Sequence, residues 1–124
     1  MRLYGIRGAT TVNENNAMSI LEQTKKLMEK IINENNLTED SVVSVLFSTT
    51  PDLTAEFPAK ACRMIGWNNT ALFGCVEADI HEGIRLCIRV LIHAYLPTKN
   101  NVRHIYLNNA AILRPEWSGT SDLI

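Results

Sequence analysis

"RLCIRVLIHAY", residues 85–95, is the stretch on which the fold turns. In isolation it is ambiguous. Ile88, Val90 and Ile92 alternate with Cys87, Arg89 and Leu91. Their β-branched side chains are stiff at χ1 and suit a pleated strand, so the stretch is read as a strand. Working outward, four more segments join it. Residues 2–12 are read as a strand with a glycine-softened middle. "SVVSVLFS", 41–48, is short, β-branched and apolar, the pattern of a buried strand. "TALFGCVE", 70–77, is the third strand in chain order, and "VRHIYLNNAAIL", 102–113, the last.

One segment has a different period. In "NENNAMSILEQTKKLMEKIINENN", residues 13–36, Ile20, Thr24, Leu27, Met28 and Ile31 recur at helical spacing, and Leu21 and Ile32 widen the stripe. Glu22, Lys25, Lys26, Glu29 and Lys30 fall on the wet side. Asn15 or Asn16 serves as N-cap, and the helix ends near Asn35 and Asn36. A shorter helix is expected from about Pro58, since proline suits a first helical turn. Trp67 with Asn68 and Asn69 marks one turn, "ADIHEG" (78–83) another. The class is therefore α/β or α+β: a mixed sheet of about five strands with one long amphipathic helix and one short one. Residues 1–124 are expected to form one domain, with the polar, glycine-containing 116–124 a mobile tail.

Composition narrows the function. Hydrophobic residues make up 46% and charged residues 20%, an ordinary globular balance. A chain of 124 residues buries a limited share of its surface, so oligomerisation is expected. The net charge of −1 argues against a broad nucleic-acid footprint. Three cysteines, Cys62, Cys75 and Cys87, form no regular framework and suggest reduced thiols in a cytoplasmic setting. There is no CxxC or Cys/His cluster for zinc, and no apolar run approaching about 18 residues, so neither a secretory leader nor a membrane span is expected.

The motifs of phosphate, dinucleotide, serine-hydrolase and metalloprotease chemistry are all missing. His81, His93 and His104 lie apart in sequence, and each is read as a surface or satisfied core residue. What remains is a set of arginines in unusual places. Arg7 sits in a strand between glycines, Arg89 in the most apolar stretch, Arg63 on the short helix, and Arg114 after "AIL". Buried arginines need partners, and Glu77 at the end of the third strand is one candidate carboxylate. The other candidate is a ligand, because the guanidinium fork matches a carboxylate bidentately. From spacing alone, a structural Arg89–Glu77 pair with surface arginines is the simpler reading. By the same default, Tyr106 is a strand aromatic with its hydroxyl at the rim, Phe57 is core packing and Lys60 is a solvated helix residue.

Four blocks in order, "GIRGATTV", "PDLTAEFPAKACR", "CIRVLIH" and "RHIYLNNAAILRP", carry a resemblance. Over roughly residues 2–116 the chain resembles the AroH class of chorismate mutase. The resemblance implies a homotrimer whose sheets surround a barrel-like core, with active sites in the clefts between subunits. It implies rearrangement of chorismate to prephenate without cofactor or metal. Position by position, Arg7 would hold the enolpyruvyl carboxylate, Arg89 would reach the ether oxygen and a carboxylate, Glu77 would accept from the ring hydroxyl, and Tyr106 would bond a carboxylate. Phe57, Ala59, Phe73 and Leu113, with the backbone around Gly74, Cys75 and Val76, would line the cleft, and Lys60 and Arg63 would lie near the ring side. The glycines beside Arg7 would give the ligand room. The family has a cysteine three residues before this glutamate; here that position is Gly74. A one-residue shift turns a strand side chain to the other face, so Cys75 is expected to turn away from the ligand and takes no catalytic role. Two other functions compete: a trimeric imine deaminase of the Rid type, and a non-catalytic module binding a small carboxylate.

Overall fold

The computed structural model describes residues 1–99 and 101–116. In chain order the elements are β1 (Arg2–Thr11), α1 (Ala17–Asn35), β2 (Val42–Thr49), α2 (Lys60–Met64), β3 (Ala71–Val76), β4 (Cys87–Leu96) and β5 (Ile105–Tyr106). Short 3-10 turns occupy Glu39–Ser41 and Asn108–Ile112. The sheet order is β3-β2-β4-β1-β5. The ambiguous stretch is thus the central strand. β4 runs antiparallel to both β1 and β2, while the outer pairs β2–β3 and β1–β5 are parallel.

α1 starts where the side chain of Asn16 accepts the Ser19 N–H at 2.8 Å, and it stops at Asn36 in the left-handed region, φ 52°. Its buried stripe is Ile20, Thr24, Leu27, Met28 and Ile31, the set expected from the period. That stripe lies on one face of the sheet, against Ile6, Val45, Phe47, Ile88, Val90 and Ile92, all buried. Burying each such side chain contributes about 1.5–3 kcal/mol. Gly8 belongs to this face. A Cβ there would stand 2.7 Å from Ile31 Cδ1 and 3.1 Å from the Ile105 carbonyl. Gly8 therefore lets helix and sheet approach; it does not make room for a ligand, as its place beside Arg7 suggested.

Alternation sends the remaining side chains to the other face. The registers Arg7↔Leu91 and Ala9↔Arg89, Ser48↔Arg89 and Leu46↔Leu91, and Ser48↔Cys75 and Leu46↔Phe73 set these residues side by side. No α-helix covers this face among the described residues; at one end the 3-10 turn Asn108–Ile112 packs Ala110 with Ala9, Cys87 and Tyr106, all buried. Along β4 the members of this face run from buried Cys87 through half-buried Arg89, Leu91 and His93 to exposed Tyr95, whereas the alternate positions are all buried.

The last strand is much shorter than the 102–113 expected. Only Ile105 and Tyr106 pair with β1. Asn108 enters the left-handed region at φ 55° and its amide donates to Thr10 Oγ1 at 3.0 Å and the Thr11 carbonyl at 3.1 Å, which turns the chain. Asparagine tolerates that conformation and offers its side chain as a local partner, so a strand-like composition ends in a turn. The expected tail lies outside the described residues from 117 onward. Glu116 is described, and its carboxylate meets Arg114 at 2.7 Å.

Candidate active site

Arg89 occupies the middle of the open face because β4 is the central strand. Glu77 follows β3 directly, and its N–H donates to the Thr49 carbonyl at 2.8 Å, carrying the β2–β3 ladder one step further. This brings Glu77 Oε2 to 3.0 Å from Arg89 Nε. Ser48, the cross-strand neighbour of Arg89, donates its hydroxyl to the same oxygen at 2.8 Å. Arg89 Nε is buried and makes no directed hydrogen bond, so the carboxylate lies beside its N–H line and the contact is an ion pair. The Arg89 and Glu77 side chains are 36% and 19% exposed. The pair faces a cavity of about 530 Å³ walled by Thr50, Asp52, Ile80, Ile84 and Arg85.

Asp52 shapes that wall. Its carboxylate accepts the Leu86 N–H at 3.0 Å, while Thr50 donates to it at 2.5 Å and accepts the Cys87 N–H at 2.9 Å. These bonds hold Leu86 in the left-handed region, φ 51°, at the entry to β4. A leucine there is strained, and three hydrogen bonds over-determine it.

Arg7 lies two residues along β1 from Ala9, on the same face as Arg89 and diagonal to it. Diagonal neighbours stand about 7–8 Å apart, close enough for two guanidinium groups to reach one small dianion. The Arg7 backbone N–H donates to His104 Nδ1 at 2.9 Å. That bond requires Nδ1 to be unprotonated, and burial, then the charges of Arg7 and Arg114, lower the His104 pKa accordingly. Tyr106 pairs with Ala9 and is 1% exposed, in a cluster with Cys87, Ala110 and, at its margin, Leu113. It is under cover, not at the rim.

A second cavity, about 730 Å³, gathers Phe57, Ala59, Arg63, Gly74, Cys75 and Val76 beside α2. Phe57 is 77% exposed and is not core packing. Phe73, on the open face, is 63% exposed. Lys60 lines neither cavity; its ammonium stands 3.1 Å from Glu56 Oε1. One chain therefore separates the expected site residues: Arg89 with Glu77 and the diagonal Arg7 on the open face, Tyr106 and Leu113 in the buried cluster beside them, and Phe57, Ala59, Arg63 and the 74–76 stretch around the α2 cavity. Cys75, expected to turn away from the ligand, donates its thiol to the Phe47 carbonyl at 3.6 Å. Its pairing with Ser48 puts it on the Ser48–Arg89 face, two residues before Glu77, and Gly74 is the residue turned over. Ser48, Asp52 and His104 were missed as contributors. For Ser48 the signal was its polar place in the alternation "VLFS", next to an apolar inward Phe47.

Burial raises the Cys62 thiol pKa to about 12 and that of Cys87 to about 11, so both are inert. Among the described residues no group of three or more His, Cys, Asp or Glu side chains could hold a metal ion, and no helix is long and apolar enough to cross a membrane.

Known proteins match this chain along nearly all its length. The profile of the family described as Chorismate mutase type I matches residues 3–117. The chain is 43% identical over 124 residues to the chorismate mutase AroH of Bacillus subtilis (strain 168), covering 98% of each. It is 37% identical over 114 residues to that of Thermus thermophilus, covering 90% of this chain and 93% of the relative. A solved chorismate mutase from Clostridium thermocellum superposes with a TM-score of 0.85 at 42% identity, over 88% of this chain and 98% of the other.

Proposed function

The chain belongs to the type I chorismate mutase family and converts chorismate to prephenate, an isomerisation in aromatic amino acid biosynthesis; we propose that it does so in clefts between the subunits of a homotrimer, with Arg7, Glu77 and Arg89 as catalytic side chains. The match sets aside an imine deaminase. The observation that carries the site assignment is the Arg89–Glu77 contact, 3.0 Å, on a sheet face that no α-helix covers among the described residues.

The rearrangement is unimolecular. A carbon–oxygen bond breaks as a carbon–carbon bond forms, and six electrons move in a ring without proton transfer. The enzyme has two tasks. It must hold a flexible dianion in the compact, chair-like conformer. It must also meet the charge that separates as the ether bond stretches, negative on the oxygen and positive on the ring. Arg89 supplies a fixed cation to the ether oxygen. Glu77 accepts from the ring hydroxyl and favours the positive ring. Arg7, two residues along the neighbouring strand, captures the enolpyruvyl carboxylate, and Tyr106 bonds a carboxylate when the ligand presses against its cluster.

The trimer gathers what one chain keeps apart. Phe57, Phe73 and Val76 are large, apolar and exposed, Phe57 and Val76 around the α2 cavity and Phe73 on the open face of the same edge strand. Placed against the Arg7–Arg89 region of a neighbour, that edge lines the cleft with Phe57, Ala59, Phe73 and the 74–76 backbone, and brings Lys60 and Arg63 to the ring side. Leu113, packed against the Tyr106 cluster, adds an apolar wall. Such a protein works in the cytoplasm, which keeps its three unpaired cysteines reduced.

Complementation tests the assembly. Arg7→Ala and Phe57→Asp are each expected to lose most activity, and a co-refolded mixture to regain part of it, because some clefts then receive both intact halves. Light scattering should return three chains per particle. An active monomer, or a mixture no better than its parts, refutes the shared cleft.

A further inference from the structure

We propose that Ser48 is a positioning residue for this reaction, holding one oxygen of Glu77 so that the other is presented to the substrate. The inference rests on the reading of Glu77 as the group that meets the ring hydroxyl. It deepens that reading by assigning a residue outside the expected set.

The geometry is specific. Ser48 lies at the crossing of two registers, opposite Arg89 on β4 and opposite Cys75 on β3. Its hydroxyl donates to Glu77 Oε2 at 2.8 Å, and Arg89 Nε contacts the same Oε2 at 3.0 Å. Both constraints converge on one oxygen. Among the described residues, Oε1 accepts no hydrogen bond.

Arg89 alone does not fix the carboxylate. Its Nε stands beside the oxygen without a directed hydrogen bond. An ion pair of that kind is tolerant of angle, because Coulomb attraction depends on distance while hydrogen bonds fall off steeply with misalignment. The directed bond comes from Ser48. Glu77 also lies one residue beyond β3, anchored through its N–H to Thr49, so its side chain has no sheet neighbour on the outer side. Without the hydroxyl, the carboxylate is free to rotate and to offer Arg89 both oxygens. That rotation neutralises the charge the ring needs and draws Arg89 away from the ether oxygen.

The test is a set of variants assayed for chorismate turnover in the assembled enzyme. Ser48→Ala is expected to lower kcat about tenfold, the low end for loss of one hydrogen bond to a charged group. KM should change less than kcat, since the misplaced charge acts on the transition state. Ser48→Thr keeps the hydroxyl and should recover most of the rate. Ser48→Cys keeps the volume with a weak donor, so it should track Ser48→Ala and covers the case in which alanine unfolds the protein. The deciding arm is a cycle with Glu77→Ala. If Ser48 acts through Glu77, adding Ser48→Ala to Glu77→Ala costs no further rate. A slow Glu77→Ala enzyme slowed again by the full factor, or a Ser48→Cys enzyme as fast as wild type, overturns the role of Ser48 and leaves that of Glu77 standing. A Glu77→Ala enzyme with wild-type kcat overturns the Glu77 reading, and this inference with it.

Discussion

Removing the guanidinium of Arg89 is the sharpest test of the proposed chemistry. Arg89 is 36% exposed in one chain, so the medium around it is neither water nor dry protein. At an effective dielectric of about 20, two unit charges about 4 Å apart interact by about 4 kcal/mol. The breaking ether bond develops only part of a unit charge, but in the proposed trimer a neighbouring subunit would dry the cleft further. Loss of one preorganised donor in such a site costs roughly 3–4 kcal/mol, or about two to three powers of ten in kcat. Arg89→Ala is expected to show that loss mainly in kcat, with a smaller change in KM, because the charge it meets hardly exists in the ground state. Arg89→Lys keeps a charge but loses the planar fork, so it should remain badly impaired. The assay is the disappearance of chorismate under saturating conditions, with assembly and thermal midpoint measured on the same samples. An Arg89→Ala enzyme that is folded, trimeric and within a few-fold of wild-type kcat would refute the electrostatic mechanism.

Arg7→Ala should raise KM more than Arg89→Ala does, since the carboxylate proposed to bind it is charged in both ground and transition states; equal KM for the two variants would contradict this. Because no proton moves, kcat should stay nearly flat across neutral pH, and a bell centred near neutrality would point to acid–base chemistry. Gly8→Ala, whose Cβ would stand 2.7 Å from Ile31 Cδ1, should lower stability by about 1–3 kcal/mol in a denaturation melt. His104 has its pKa lowered by burial and two arginines, so the unfolded chain binds the proton more readily. Its contribution to stability is present above the unfolded value, about 6.5, and is lost as pH falls through the folded one. His104→Asn should therefore flatten the fall in thermal midpoint on the acid side, and an unchanged profile would show that His104 does not titrate there. In the native protein Cys62 and Cys87, raised to about 12 and 11, should resist a thiol reagent at pH 8 until the chain unfolds.

The parts of the fold legible in the sequence are those set by local period. α1 was readable to within a residue because its stripe, its N-cap and its left-handed Asn36 act within a few positions of one another. β4 was readable as a strand from its branched residues, but its place at the centre of the sheet depends on partners far along the chain. The error in β5 came from composition. "VRHIYLNN" carries strand-forming residues, yet the side-chain bonds of Asn108 to Thr10 and Thr11, across the fold, decide where pairing ends. For the site, the arginines stood out because their charge conflicts with an apolar strand. Ser48 did not, because a serine on the outer face of a half-covered strand is unremarkable until its partner is known. Gly8 misled for a similar reason: its neighbour Arg7 suggested a ligand, and its true constraint, Ile31, lies on the other side of the sheet.

The two faces of the sheet explain how so short a chain carries a charged site. The face against α1 holds the larger apolar core, and a small buried cluster of Ala9, Cys87, Tyr106 and Ala110 anchors one end of the other face, leaving the Arg89 region open. There, half-burying a guanidinium costs free energy unless a partner offsets it, and Glu77 is that partner before substrate arrives. The same carboxylate would defeat catalysis if it fully neutralised Arg89. A single contact on Oε2, off the N–H line and shared with Ser48, stabilises the pair while leaving Arg89 its directed donor capacity and Glu77 its second oxygen. On the proposed roles, an ether oxygen gaining negative charge and a ring gaining positive charge each meet a group already oriented toward them. A reaction that transfers no proton requires nothing that titrates near neutrality; it requires charges fixed in place, and a central strand between two paired neighbours is where a sheet holds its side chains most rigidly.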